Sequence, residues 1–394
     1  MPYIEDRIVH DADSHIFEPP GFYEPWLAPG MKERLARFFP DPHPKMVKYI
    51  EDVTNRQRDP EVAARDEAEI TLRKSYEGRG AFLKEDRPRA LDLLGVASQL
   101  VFTTTLLGPL IIAEHGEDLE AAYALAKAHN DAMLDFCSVD RRMLPVCYVP
   151  LADLERTPAF AADALADGAS ALMISSLCPE NHSPSHVGLE PLWAAAAEAG
   201  VPIVLHVGGG KPMNPTYKQN GLPPVPDFTG GDGNFTSLSF MAVPDAPIHT
   251  LSALIFDNVL ERHPDLRIGV IEQGASWVPA WMRSMDAAAV AFYKNEERLH
   301  SLSLKPSEYV QRQIRVTPYP HEDAGWIVEQ AGPSVALFSS DYPHTEGGRN
   351  PVKRFEESLA GRSDAEKDAF YRTNFEDLMG RALDRVGITP AARS

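Results

Sequence analysis

The feature that most constrains this chain is a rhythm. Short apolar runs rich in Val, Ile and Leu recur along it, and most are followed by a stretch with the 3.6-residue periodicity of a helix. The runs are RIVHDAD (7–13), SQLVFTT (98–104), MLPVCYVP (143–150), ASALMISS (169–176), VPIVLHV (201–207), LRIGVIE (266–272), RQIRVTP (312–318) and PSVALFSS (333–340). Between them lie segments such as LEAAYALAKAHNDAMLDFC, TPAFAADALADG, LEPLWAAAAEAG and LIFDNVLERHPDL. The last three end in Gly or His-Pro just before the next run, where helix stops belong. Strand then helix, repeated eight times, predicts an α/β fold of the (β/α)8 TIM-barrel type. The rival doubly wound sheet calls for a Gly-rich turn after the first strand, and DADSHIFEPPG is not one.

Two insertions interrupt the rhythm. Residues 16–86 are rich in Pro and charge, with a helix expected in DPEVAARDEAEITLRKSYEG, and residues 208–248 carry the densest Gly and Pro. Long connections in a compact domain usually serve as lids or binding loops. Both follow strand C-termini, so both should overhang the face where barrel enzymes work. Residues 1–384 are therefore read as one barrel domain and 385–394 as a tail.

A formal net charge of −19 argues against a nucleic-acid partner, because a phosphate backbone calls for a basic face. The first residues, MPYIEDRIVHDADSH, lack a basic region followed by an apolar stretch, and no uninterrupted apolar run approaches the roughly 18 residues of a spanning helix. A cytoplasmic protein with no membrane partner is expected. Cys137, Cys147 and Cys178 form no CxxC pair and read as buried thiols.

Metal-capable residues fall at strand ends. Asp13 and His15 end the first run, His206 the fifth, Glu272 the sixth, and Asp341 follows the eighth. Asp11, Asp13 and His15 would share one face of a continuing strand. Closure of a barrel brings these ends around one cavity, and imidazole nitrogens with carboxylate oxygens suit zinc, manganese or iron(II). Taken singly, an Asp at a strand end is ordinarily a turn or cap residue and His206 a hydrogen-bonded structural histidine. Four coincidences at four strand ends favour a metal site. Around it, Asp11 is a candidate to orient a ligand from behind, otherwise a strand cap. His344, Trp277 and Arg349 are candidate substrate contacts, against the plainer readings of loop histidine, core aromatic and solvated charge. Lys211 is a weaker carboxylate binder, and Gly208–Gly210 reads as a loop hinge.

These residues also resemble a family. DADSH stands where the amidohydrolase superfamily has its HxH, VLHV matches its strand-five histidine, and SSDYPH is similar to the strand-eight SDYP or TDYP segment of the amidohydrolase-2 branch. That branch includes decarboxylases of aromatic and unsaturated acids, and hydrolases of ring-cleavage products. The likeness continues through PLWAAAAEAGVPIVLH, LIFDNVLERHPDLRIGVIEQGASWVP and DAFYRTNFEDLMG. It implies one divalent metal per chain, held by Asp13, His15, His206 and Asp341, with Asp341, Glu272 and His206 in catalytic roles. Strand four offers LMISS without a lysine, so a bridging carbamate has no source and one metal is expected.

Two departures stand out. Asp13 replaces the first histidine of HxH, which hardens the site towards manganese or iron. Glu272 stands where the decarboxylases carry a histidine. The expected activity is decarboxylation of a small aromatic or unsaturated carboxylic acid. The alternatives are hydrolysis of a carbon–carbon, ester or amide bond by the same centre, and a catalytically silent ligand-binding barrel. An iron(II) oxygenase would ordinarily use a β-sandwich instead. The resemblance also implies a homodimer or homotetramer.

Overall fold

The computed structural model describes residues 2–39, 41–208, 213–223, 225 and 236–387. Seven parallel strands pair in chain order: β1 (His10–His15), β2 (Ser98–Phe102), β3 (Met143–Tyr148), β4 (Ala171–Ile174), β5 (Ile203–His206), β6 (Ile268–Ile271) and β7 (Ile314–Val316). Alternate residues sort onto two buried faces. Leu100, Phe102, Leu144, Val146, Tyr148, Met173 and Val204 pack together in one cluster. Their neighbours Val101, Cys147, Leu172, Ile174, Ile203, Leu205, Val270 and Val316 pack in another with helix side chains such as Trp193 and Leu251. Strands covered on both sides read as continuous apolar runs, which is why they stand out in the sequence.

The eighth run closes the barrel without forming a regular strand. It bridges β7 at Val316–Ala336 and β1 at Ser14–Tyr342. Leu337 N donates to Val316 O (3.1 Å), Ala12 N to Phe338 O (3.2 Å), Asp341 N to Asp13 O (2.9 Å) and His15 N to Tyr342 O (2.8 Å). Two of its amides are drawn away from a ladder: Phe338 N donates to Phe370 O (2.9 Å), and Ser340 N to the Asp11 carboxylate (2.7 Å).

Helices form where periodicity places them, at Leu119–Cys137, Arg156–Asp167 and Glu190–Ala199. The segment 254–266 departs from one continuous helix. A helix Asp245–Phe256 ends, Asn258 turns through φ 67°, and a single turn Val259–Arg262 follows. In the first insertion the expected helix covers only Pro60–Ala68, capped by the Asp59 carboxylate, and is preceded by an unexpected one, Pro44–Arg58. Beyond it Ser75, at φ 53°, donates its amide to Pro343 O (2.7 Å) and docks the insertion on the eighth segment.

The stretch Ser237–Phe256 is long and apolar enough to cross a membrane by composition. Here it is two helices, Ser237–Phe240 and Asp245–Phe256, and the second buries Leu251, Leu254 and Ile255 in the core. Cys137 and Cys147 are buried, but Cys178 is exposed, because it lies in the loop after β4 and not in an element. Gly209, Gly210, Lys211 and residues 388–394 lie outside the described residues.

Candidate metal centre

The strand-one motif answers a question its spacing raises. Between Asp11 and Ser14 the register of β1 against β2 slips, three residues on β1 spanning two on β2. Such a bulge inserts a residue and re-aims side chains. Asp11 therefore parts from Asp13 and His15. It turns to the helix side, where it accepts from Ser340 N (2.7 Å), Ser340 Oγ (2.6 Å) and Gln99 Nε2 (2.7 Å). Burial pushes the Asp11 carboxyl up to about 6 against these hydrogen bonds. Asp13 and His15 face the mouth, with His15 Nε2 3.1 Å from Asp13 Oδ1.

Three further elements converge there. His206 at the end of β5 puts Nε2 3.4 Å from Asp13 Oδ1 and 3.5 Å from Glu272 Oε2. Alternation from Val270 would send Glu272 to the helix side, but its φ of 53° breaks the alternation at the end of β6. Its backbone is held on both sides: the amide donates to Thr317 Oγ1 (2.8 Å), and the carbonyl accepts from Tyr319 OH (2.6 Å). Asp341, also at φ 53°, lies 3.7 Å from His15 Nε2. Left-handed backbone at a non-glycine residue costs of order 1 kcal/mol and collects at functional sites. Gly347 makes room for the Asp341 turn, since a Cβ there would lie 1.9 Å from Ser340 O. His344 stacks on His15 at 4.0 Å between centroids, with Nδ1 3.1 Å from Asp341 Oδ1.

Ligand atoms of Asp13, His15, His206 and Glu272 lie within 4.8 Å of one another, and so do those of His15, Glu272, Asp341 and His344. The donor chemistry fits a cation. His15 Nδ1 donates to Thr103 O (2.9 Å) and His206 Nδ1 to Val207 O (3.0 Å), so each Nε2 is turned into the cluster, where it offers a lone pair once it carries no proton. Such anchoring of the second nitrogen is the usual arrangement of metal-binding histidines. Asp13 Oδ2, His15 Nε2 and both Asp341 carboxylate oxygens are buried without a hydrogen-bond partner. Orphaned buried polar atoms are costly, and lone pairs facing carboxylates are reconciled by a positive charge between them. Burial alone would raise Asp13, yet hydrogen bonds and charge from the facing His15 and His206 rings hold it well below the usual carboxylate range, the part a bound cation would take over. Burial and the neighbouring His344 push the His15 imidazole below its ordinary value, against the pull of Asp13. Tyr319 remains a phenol, pushed far up by burial and by the Glu272 and Asp341 charges.

The structure thus brings together Asp13, His15, His206, Glu272, Asp341 and His344. Asp11 sits behind them, tied to Ser340. Trp277 and Arg349 make no hydrogen bond, ion pair or ring contact with the six. The Trp277 indole donates to Gly274 O (2.8 Å) and its ring meets Trp281, while Arg349 is exposed beside Lys353 and Arg354. Sequence reasoning passed over Thr103, Thr104, Thr317, Tyr319 and Glu18, which hold the cluster from outside. A hydroxyl run, TTT at 103–105, and a glutamate three residues past His15 were the visible signals.

A family model described as amidohydrolase matches residues 79–381, most of the chain. The chain belongs to the amidohydrolase family. The chain, an enzyme by that membership, matches no curated protein. Among solved structures it is similar to an amidohydrolase from Mycobacterium avium subsp. paratuberculosis K-10, at 22% identity and a TM-score of 0.71, over 96% of this chain and 100% of that one. A 5-carboxyvanillate decarboxylase from Novosphingobium aromaticivorans, solved with manganese and 4-hydroxy-3-methoxy-5-nitrobenzoic acid, aligns at 17% identity and a TM-score of 0.61, over 94% and 96%. A 2,6-dihydroxybenzoate decarboxylase from Rhizobium aligns at 15% and 0.59, over 95% and 99%. At these identities the likeness establishes the barrel, and the chemistry has to be argued from the site.

Proposed function

We propose that this amidohydrolase is a metal-dependent decarboxylase of a small aromatic or unsaturated carboxylic acid. The observation that carries the proposal is the convergence of two imidazoles and three carboxylates on one point, with Asp13 Oδ2, His15 Nε2 and both Asp341 oxygens buried there without a hydrogen-bond partner. Asp13, His15, His206 and Asp341 would hold one divalent cation. The anionic donor set favours manganese or iron(II) over zinc. The full-length likeness to decarboxylases, one of them solved with manganese and a nitrobenzoic acid, supports the same assignment.

A bound cation supplies a fixed positive charge towards the oxygen atoms of an acidic substrate and lowers the pKa of water. The chain's own residues do the rest. Glu272, held at backbone by Thr317 and Tyr319, or Asp341, delivers a proton to the substrate carbon that bears the carboxylate. The bond to the carboxyl carbon then breaks, its electron pair returns to the unsaturated system, and carbon dioxide leaves. His344, which meets Thr104 and Asp341, would contact the substrate. Asp341 also supports a second reading. A carboxylate free of hydrogen bonds is suited to take a proton from water, the need of a hydrolase.

Metal content per chain, measured for the wild type and for His206→Ala after identical purification, tests the centre. Near one transition metal in the wild type and far less in the variant is expected. A wild type that stays empty after incubation with manganese, zinc or iron(II) refutes the proposal. Carbon dioxide release from hydroxybenzoates and muconate semialdehydes, set against hydrolysis of lactones, amides and meta-cleavage products, separates the two reactions. Turnover of the second panel alone replaces decarboxylation by hydrolysis.

A further inference from the structure

Two of the clustered imidazoles are anchored to one three-residue segment. His15 Nδ1 donates to the carbonyl of Thr103 (2.9 Å), and His344 Nε2 meets the hydroxyl of Thr104 (2.9 Å). That segment follows β2 and has left the sheet, so no ladder fixes it. Two side chains grip it instead, Glu18 and Tyr23, whose hydroxyl meets that of Thr103 (2.9 Å). Glu18, only 4% exposed, comes from the start of the first insertion. One carboxylate oxygen accepts from the Thr103 hydroxyl, the Tyr23 hydroxyl (2.6 Å) and Thr104 N (3.2 Å). The other accepts from Thr105 N (3.0 Å). The Thr103 hydroxyl also accepts from Leu106 N (3.2 Å), and Tyr76 OH donates to the Glu18 carbonyl (3.0 Å).

We infer that Glu18 is a positioning residue for the metal centre: it fixes residues 103–105, and through them the ring orientation of His15 and His344. The inference rests on the metal-centre reading above. Two backbone amides and two hydroxyls aimed at one buried carboxylate make a rigid knot, since charge-assisted hydrogen bonds are about twice as strong as neutral ones. Rotation of the 103–105 backbone would swing the Thr103 carbonyl away from His15 Nδ1, and the ring would lose the bond that turns Nε2 inwards. Glu18 touches neither substrate nor cation in this scheme. Its effect reaches the centre through two threonines.

Glu18→Gln tests this. The amide keeps the shape but turns a nitrogen towards the Thr105 or Thr104 N–H, donor against donor. Loss of a ligating histidine's own partner typically lowers metal affinity 10- to 100-fold, and the lower end of that range is expected one step further out. Manganese affinity would be read by chelator competition, and the visible spectrum of the cobalt(II)-loaded protein would report the ligand geometry. The expected result is an affinity at least tenfold lower with an altered cobalt spectrum, while the metal-free variant melts within about 4 °C of the metal-free wild type. A purely structural role would lower the metal-free melting temperature and leave affinity and spectrum alone; that outcome, or any loss below tenfold, overturns the inference. If Glu18→Gln fails to fold, Tyr23→Phe removes one hydroxyl from the knot and must still weaken manganese binding at least threefold; unchanged affinity overturns the inference. A wild type that binds neither metal sinks the underlying centre, whereas a metal-binding wild type with an indifferent Glu18→Gln sinks the knot alone.

Discussion

Replacing Asp11 in two ways separates the worth of its hydrogen bonds from the cost of its charge. Asp11→Ala and Asp11→Asn both remove a buried carboxylate that burial already pushes towards protonation. They differ in what they leave for Ser340. The asparagine oxygen still accepts from Ser340 N and its amide donates to Ser340 Oγ, but Gln99 can turn its own amide only by giving up the bond from Arg87 Nε (3.3 Å). Alanine leaves Ser340 N, bonded at 2.7 Å in the wild type, without an acceptor, while an orphaned donor in the Gln99–Arg87 pair is common to both variants. A buried donor so orphaned costs about 1–3 kcal/mol, and the hydroxyl re-donates at little cost. Asp11→Ala is therefore expected to be about 1–3 kcal/mol less stable than Asp11→Asn. With an unfolding entropy of about 2.1 cal/mol/K per residue, a chain this long loses roughly 1–4 °C in Tm. Differential scanning calorimetry of both variants, metal-free in excess chelator, measures the gap. Equal melting temperatures would refute the role assigned to Asp11. The metal-loaded proteins should show the same order in manganese affinity, since Ser340 precedes Asp341.

The alanine of Gly347→Ala would place a Cβ 1.9 Å from Ser340 O, so the turn carrying Asp341 has to move; metal affinity should fall at least tenfold by chelator competition, with stability down about 1–3 kcal/mol. Acid sensitivity follows from two buried histidines. Burial lowers His129 to about 4, and burial with the Arg372 charge lowers His10 to about 4. Both lie below the unfolded value near 6.5, so the unfolded chain takes up protons first, and their contribution is intact above pH 6.5 and lost as pH falls towards 4. Each shift is worth about 3 kcal/mol. Urea unfolding between pH 7.5 and 4.5 should show this decline, and His129→Leu should flatten its slope by about one proton; an unchanged slope would contradict the assignment.

How much was legible follows from what the sequence encodes locally. The β3 and β5 runs, the Leu119–Cys137 helix and the placement of His206 come from periodicity that a buried strand or helix cannot avoid showing. The eighth run looks equally strand-like, yet its amides are claimed by Phe370 and by the Asp11 side chain, partners that no local pattern announces. The same holds for DADSH. Alternation puts its two aspartates and histidine on one face, and only the bulge against β2 sends Asp11 away. Glu272 converges through a left-handed turn secured by Thr317 and Tyr319, contacts across 45 and 47 positions. Trp277 and Arg349 drew attention by residue type, and type does not carry direction.

The closing segment has a consequence for how the molecule is made. Asp11 and Ser340 are 329 positions apart, so the pocket is stitched from the two ends of the barrel sequence. During synthesis its Asp-His pair is produced first and waits through six further strands for Asp341. A chain stopped or cut before residue 341 can keep most of the sheet and still lack a finished pocket. Completion of that pocket therefore marks a chain translated and folded through to its closing segment.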